Sequence, residues 1–554
     1  MSFLLPANIA VYIAIPALIW SSVVYLVQSI GIFKLFRHYS HPPRKAISPY
    51  LPEDKLPHIS IIRPVKGLEP QLYECLASTF RQVYPRSKLT INLCVSSDND
   101  PAYPVLEQIV EDFGEDGFDV RLLVEEYDPV LSSLDDKDEY GPNPKIRNIS
   151  RAYRETPLDS LIWILDCNVW ICPDVAGHMV DKLLGYLPEE KRTTPFKFVH
   201  QLPLVVDVPP FTKEAKETGH DESTWQRVWR LGGGRLDEMF MATTHAKFYG
   251  AINTVGVAPC ILGKSNMFRK EHLDTYTQPQ YNRNLSLADA NRGRGIDFFS
   301  SYICEDHLIG DLLWNADIPG FRNHGLVWGD LAIQPMSEMS VAQYWARRVR
   351  WLRVRKWTVL LATLVEPGVE SILCNLYFSY AITTLSFFNT AFAIPQTWTA
   401  MCGLWLAGVL IWMTCDRAVY RRLHSCSTVV ADKNTPFFAR GAGQPGGVDR
   451  KPFREWLPAW IGRETLAFPI WTWAVLLGTT VAWRGKTFRV RRDMSVVALQ
   501  AKGETSAHNG HAVAGGMNGT GNGSTTDNLI HREVPKWEGR PTATHRKSRS
   551  YTRE

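Results

Sequence analysis

The chain has 554 residues, with 61 Lys and Arg against 56 Asp and Glu for a net charge of +5. That length implies two or three structural units rather than one core, and so mild a balance argues against a dedicated nucleic-acid binder, which needs a strongly basic domain. Ten cysteines without CxxC spacing argue against a disulfide scaffold or a zinc site and leave reduced thiols.

Charge is unevenly placed along the chain. No charged side chain precedes Lys34, none lies between Glu370 and Asp416, and none between Glu464 and Arg484. Charge-free apolar runs of about 20 residues read as membrane helices. Residues 1–33 carry the first, from Ala7 to Phe33. It reads as a retained signal anchor, because it lacks a basic n-region and exceeds a signal-peptide h-region. Lys34, Arg37, Arg44 and Lys45 follow at once, so the positive-inside rule puts the chain beyond it in the cytosol. Residues 34–55 are a linker.

A soluble block spans 56–336. Ser60 to Pro64 reads as a strand, Glu69 to Val83 as a helix, Thr90 to Val95 as a strand and Pro101 to Phe113 as a helix. Phe118 to Val124 is strand-like, Pro144 to Arg154 helical, and Leu161 to Leu165 a strongly apolar strand. This alternation predicts an α/β fold with a doubly wound, mostly parallel sheet. Polar stretches at 128–143, 207–224 and 274–297 read as surface insertions.

Residues 337–366 predict an interfacial amphipathic helix carrying Arg347-Arg348-Val349-Arg350-Trp351, with arginines for headgroups and tryptophans for the interfacial belt. The segment 367–492 reads as a membrane region. It comprises a hairpin at 371–415 divided at Pro395-Gln396, a cytosolic loop at 416–464 and a last run at 465–483, just long enough to cross as a span or else re-entrant. That count leaves the basic residues Arg484, Lys486, Arg489, Arg491 and Arg492 on the lumenal side, against their preference. From 493 to 554 the tail is polar, Gly-rich and predicted to be disordered.

Sheets of this kind bind ligands at the carboxyl ends of their strands. Two strands there run into acidic groups: Asp98 and Asp100 after the second, Asp166 with Asn168 after the fourth; Glu305-Asp306 follow further on. Carboxylates at such an edge suit Mg²⁺ or Mn²⁺ bridging a diphosphate, and one more carboxylate suits a general base on an attacking hydroxyl. Arg347 and Arg350 suit a diphosphate clamp and Trp351 a sugar platform. No Walker P-loop or GxGxxG occurs, and Gly232-Gly233-Gly234 follows no strand. His200, ending an apolar strand, reads first as a core histidine.

These aspartates, with Arg347-x-x-Arg350-Trp351, resemble the D, D, D, (Q/R)xxRW pattern of membrane-embedded family 2-type glycosyltransferases, which chitin, hyaluronan and cellulose synthases share. Asn143-Pro144-Lys145, Val199-His200-Gln201-Leu202-Pro203 and Trp483-Arg484-Gly485-Lys486 are similar to the narrower ceramide glucosyltransferase family. The resemblance spans about residues 8–492. It implies a GT-A fold facing the cytosol at the Golgi or a nearby membrane. It also implies transfer of glucose from UDP-glucose to the primary hydroxyl of ceramide, with inversion to the β-linkage. By position, Asp98 or Asp100 is the first aspartate, near the nucleotide together with Lys66, Lys145 and Arg347. Asp166 is the second, at the diphosphate and metal with Asn168. Asp306 is the third, the general base, alongside Glu305, Arg350, Trp351 and His200. Animal members carry the first acidic residue one place earlier, where this chain has Ser97, and Asp166-Cys167-Asn168 stands in place of D-x-D. The alternatives are a processive polysaccharide synthase and a non-catalytic membrane scaffold.

Overall fold

The structure, a computed structural model, describes residues 7–134, 140–189, 191–210, 223–449 and 451–499. An N-terminal helix, α1 (Ala7–His38), leads into β1 (Ile59–Pro64), α2 (Leu72–Phe80), β2 (Leu89–Val95), α3 (Tyr103–Gly114), β3 (Asp119–Val124), α4 (Pro144–Glu155) and β4 (Leu161–Leu165). Each segment expected as a strand or helix is one. After α5 (Val175–Leu184) come β5 (Phe196–Asp207), α6 (Thr224–Phe240), α7 (Ala246–Val255), β6 (Ser265–Arg269), α8 (Glu305–Asn315) and β7 (Arg322–Met336). The seven strands form one sheet in the order β3-β2-β1-β4-β6-β5-β7. All neighbours are parallel except β6, which runs antiparallel between β4 and β5. Strands β1, β2 and β4 are buried along their whole length, which explains their continuous apolar character: helices cover both faces.

The stretch 274–297 is less of a surface insertion than expected. Asp274 is buried against Lys270 and Tyr153, and Ile296, Phe298 and Phe299 just beyond Arg294 enter the core beside α4. The insertions at 135–139 and 211–222 lie outside the described residues. The glycine triplet sits inside α6, where Gly233 meets the Ser340 carbonyl too closely for any Cβ.

Among the described residues, two helices are long and apolar enough to cross a membrane, within α1 and α12 (Trp398–His424); α10 (Ser371–Thr384) and α11 (Ser386–Phe392) qualify only as one segment bent by 73°. The first limb of the expected hairpin is therefore broken at Leu385. The expected last span, 465–483, is not one helix. Helix α13 (Phe453–Trp471) passes into a π-helical turn, Thr472–Leu476, and the chain then forms β8 (Thr480–Trp483), β9 (Lys486–Val490) and β10 (Val496–Leu499), a three-stranded antiparallel sheet. Arg353, on α9 (Val341–Arg355), stops the helix: it donates to the carbonyls of Trp473 (3.0 Å) and Thr480 (2.5 Å), satisfying acceptors that a helix end leaves free. The ordered chain consequently runs past 493, through β10; the remainder of the tail lies outside the described residues.

A buried charge network ties α7 to α12 and α13. Lys247 of α7 pairs with Asp416 of α12, and Arg463 of α13 pairs with Asp416 (3.1 Å), Glu464 (2.7 Å) and Glu370. Trp460 donates to Asp416 at 2.8 Å and Glu464 accepts from the Ile372 amide at 3.3 Å. Gly31 lets α1 lie directly on the Lys247 carbonyl.

Candidate active site

The site is built where β1, β2, β4 and the reversed strand β6 meet at one sheet edge. Asn143 starts α4: its Oδ1 accepts from the amides of Lys145 (2.8 Å) and Ile146 (3.2 Å), and Pro144 occupies the first helical position, where a missing N–H costs nothing. Its Nδ2 donates to Glu305 at 3.2 Å and to the Tyr302 carbonyl. One side chain thus caps a helix and ties it to the Glu305 segment.

Lys145, 8 % exposed, reaches from α4 to Asp166 Oδ1 (3.1 Å) and Glu305 Oε1 (3.0 Å). Burial works against its charge, and the Asp166, Glu305 and Asp306 carboxylates more than offset that, so its pKa lies above the ordinary lysine value. The other Asp166 oxygen takes Lys264 at 2.9 Å. Burial favours the protonated acid, but Lys145 and Lys264 together outweigh it and hold Asp166 well below the usual carboxylate range.

Glu305 and Asp306 open α8, where the helix N-terminus favours negative charge. For both, burial raises the pKa and Lys145 only partly reverses it. Asp306 makes no salt bridge among the described residues, and its carboxylate lies against Gly263, where a Cβ would come within 2.7 Å of Oδ2.

Sequence reasoning missed two residues here. Lys264 stands one place before β6, and only because β6 runs antiparallel does it arrive beside Asp166; the Asp166 amide donates to its carbonyl at 3.1 Å. Arg63, fully buried in β1, donates to the carbonyls of Cys75 (2.6 Å), Val169 (3.1 Å) and Cys167 (3.3 Å), fixing the loop that carries Asp166 and Asn168. An arginine inside an apolar strand was the available signal.

The remaining expected residues divide. Asp98 is exposed and accepts from Tyr127 (2.6 Å) and Asn99 (3.0 Å). Asp100 is buried as scaffold: it accepts from the amides of Gly67 (2.8 Å) and Ala102 (3.0 Å) and pairs with Lys66 at 3.1 Å. Arg347 turns to Asp237 at 3.4 Å and stacks on Trp351, which packs towards Phe240 of α6. Arg350 faces the site. Burial and the charges of Arg347 and Arg484 pull its pKa down to about 10. His200 is fully buried on β5, with Nδ1 at 2.5 Å from the Tyr249 hydroxyl and a pKa pushed down to about 3 by burial; it is neutral and not among the lysine-linked carboxylates.

The divalent-cation expectation does not fit this donor set. Both Asp166 oxygens face ammonium groups, Asn168 Oδ1 faces Lys264 at 3.4 Å, and its amide donates to Glu69 at 3.2 Å. No cluster of three or more His, Cys, Asp or Glu suited to a metal occurs among the described residues.

The family model for glycosyl transferase family 21 matches residues 21–207 and 285–496. The chain belongs to that family. A ceramide glucosyltransferase of Pyricularia oryzae is 58% identical over 88% of this chain and 95% of its own. One from Gibberella zeae is 48% identical over 87% and 93%, and one from Komagataella phaffii 33% identical over 88% and 92%. Among solved structures, a mannosyltransferase from Pyrobaculum calidifontis in complex with GDP-Man and Mn²⁺ aligns over 75% of this chain and 97% of that one. Its TM-score is 0.35 and its identity 15%. This family 21 chain is thus a glycosyltransferase by membership, on a mostly parallel α/β sheet, joined to helices able to span a membrane.

Proposed function

We propose that the chain transfers glucose from UDP-glucose to the primary hydroxyl of ceramide, with inversion, giving β-glucosylceramide and UDP. The observation that carries the reading is the division of labour around Lys145. It engages Asp166 and Glu305 directly and leaves Asp306 as the carboxylate without a salt bridge. A half-buried carboxylate whose pKa desolvation raises is a better base. Asp306 takes the proton of the acceptor hydroxyl as its oxygen attacks the anomeric carbon. The bond from that carbon to the diphosphate oxygen breaks, and UDP leaves from the opposite face. Asp98, exposed and held by Tyr127, serves the nucleotide, and Arg350 serves the diphosphate. The names of the relatives support the acceptor.

Ceramide reaches the site from the bilayer, between α9 and the membrane helices, with the catalytic sheet on the cytosolic face of a Golgi membrane. Full-length protein in vesicles with radiolabelled UDP-glucose and ceramide tests this. Label is expected in a chloroform-soluble monoglucosyl lipid. Label in polymer, or no transfer to ceramide, overturns it.

A further inference from the structure

The last motif of the chain, Trp483-Arg484-Gly485-Lys486, has no role in the chemistry so far. It forms the turn between β8 and β9. Trp483 pairs with Lys486, and the two residues between them have positive φ, 50° at Arg484 and 78° at Gly485. A two-residue turn with both centres left-handed prefers Asn-Gly. Arginine is strained there, and such strain clusters at functional positions.

The hairpin is not a free appendage. Ser495 bridges to Tyr302, and the Val496 amide donates to the Ser301 carbonyl at 2.9 Å. Val481 and Phe488 share a core with Tyr302, Ile303 and Cys304, the residues immediately before Glu305. The sheet therefore rests on the segment that presents the catalytic carboxylates and carries Arg484 to their edge. The Trp483 ring lies 5.3 Å from the Arg484 guanidinium and 6.0 Å from that of Arg350. Neither arginine has a salt-bridge partner among the described residues, and their charges repel each other. At the same edge both oxygens of Asp166 are already occupied by Lys145 and Lys264.

We propose that the donor's diphosphate is held and neutralised by protein cations, Lys145, Lys264, Arg350 and Arg484, with Arg484 at the hairpin tip closing the site in place of a divalent ion. This rests on the sugar-nucleotide reading above. Four cations against Asp166, Glu305 and Asp306 leave one positive charge in surplus, which grows in value as the leaving diphosphate gains negative charge. Arginine suits the role because its planar fork grips phosphate oxygens in pairs.

The test is calorimetric titration of the detergent-solubilised full chain with UDP, GDP and uridine, in EDTA and in Mg²⁺. UDP is expected to bind in EDTA within about threefold of its affinity in Mg²⁺. Arg484→Asn, which restores the preferred turn, should melt no lower than the parent yet bind UDP about tenfold to a hundredfold more weakly, with uridine unchanged. Arg484→Lys should recover part of the loss. UDP binding that requires Mg²⁺, or Arg484→Asn binding UDP like the parent, overturns the proposal. GDP bound in EDTA with the same Arg484 dependence, and UDP not bound, supports the cation set and overturns the uridine donor alone. Binding of neither diphosphate under any condition overturns both.

Discussion

Lys145→Met keeps most of the aliphatic stem and removes the ammonium from between two carboxylates. Asp166 retains Lys264 at 2.9 Å, but Glu305, 4 % exposed, is left among the described residues with the Asn143 side-chain amide at 3.2 Å. Removing one partner of a buried pair costs about 3–5 kcal/mol when the other must stay charged. Glu305 has an escape, since burial already raises its pKa and Lys145 is the main influence pulling it back. Without Lys145 it binds a proton over a wider range. A carboxyl whose folded pKa exceeds its unfolded value contributes stability that is fully present below the unfolded pKa and is lost as pH rises through the folded one. The cost of Lys145→Met should therefore approach about 3–5 kcal/mol at pH 8 and shrink as the pH is lowered to 5 and Glu305 takes up a proton. Urea denaturation in detergent, followed by tryptophan fluorescence at both pH values, measures the difference. Equal costs at the two values, or under about 1 kcal/mol at both, would refute the claim that Lys145 is the counter-ion keeping Glu305 charged.

Asp306→Asn should reduce transfer by about 10²–10⁴-fold while calorimetry finds UDP-glucose affinity unchanged; near-normal turnover would remove Asp306 as the base. Gly263→Ala places a Cβ 2.7 Å from Asp306 Oδ2, so turnover should fall at least about tenfold with donor affinity preserved, as steady-state kinetics and titration together would read. The transfer rate should rise with pH through a midpoint above the ordinary aspartate range, because burial raises the Asp306 pKa and the base acts deprotonated; a pH–rate profile flat down to the ordinary value contradicts this. Arg350→Ala should harm transfer to a soluble short-chain ceramide as much as to a long-chain one, since it serves the donor; unequal losses in paired assays would give it an acceptor role instead.

The legible parts of the fold were those set by local pattern. Strands β1, β2 and β4 are short, largely apolar runs ended by turn residues, and parallel burial on both faces leaves that mark in sequence. Strand β6 is Ser265-Asn266-Met267-Phe268-Arg269, too polar to stand out, and its reversed direction is a tertiary fact. Lys264 was hidden with it. The carboxylates at the sheet edge were legible by their place after strands, and Lys145 by its motif. What a motif could not tell was which acidic residue stays exposed at the edge and which is scaffold: Asp98 and Asp100 are two places apart, yet only Asp100 is consumed by backbone amides and Lys66. Trp351 likewise carries the motif but packs α9 towards α6.

The last apolar run is not one continuous helix, for a reason that hydropathy cannot register. A charge-free run records that its side chains avoid water, not what they avoid it against. Ile470, Ala474 and Val475 are buried within the protein, packing against the α6–α9 core around Phe240 and Tyr344. Arg353 takes up the carbonyls that would otherwise continue the helix. The chain then returns, and the Val496 amide bonds to Ser301 beside the catalytic carboxylates. A strand hydrogen-bonded there requires residues 484–499 to lie on the same side of the membrane as the sheet. The basic residues Arg484 to Arg492 therefore lie on the same side as the sheet, and the run at 465–483 is a helix end, a π-helical turn and a strand, not one continuous helix.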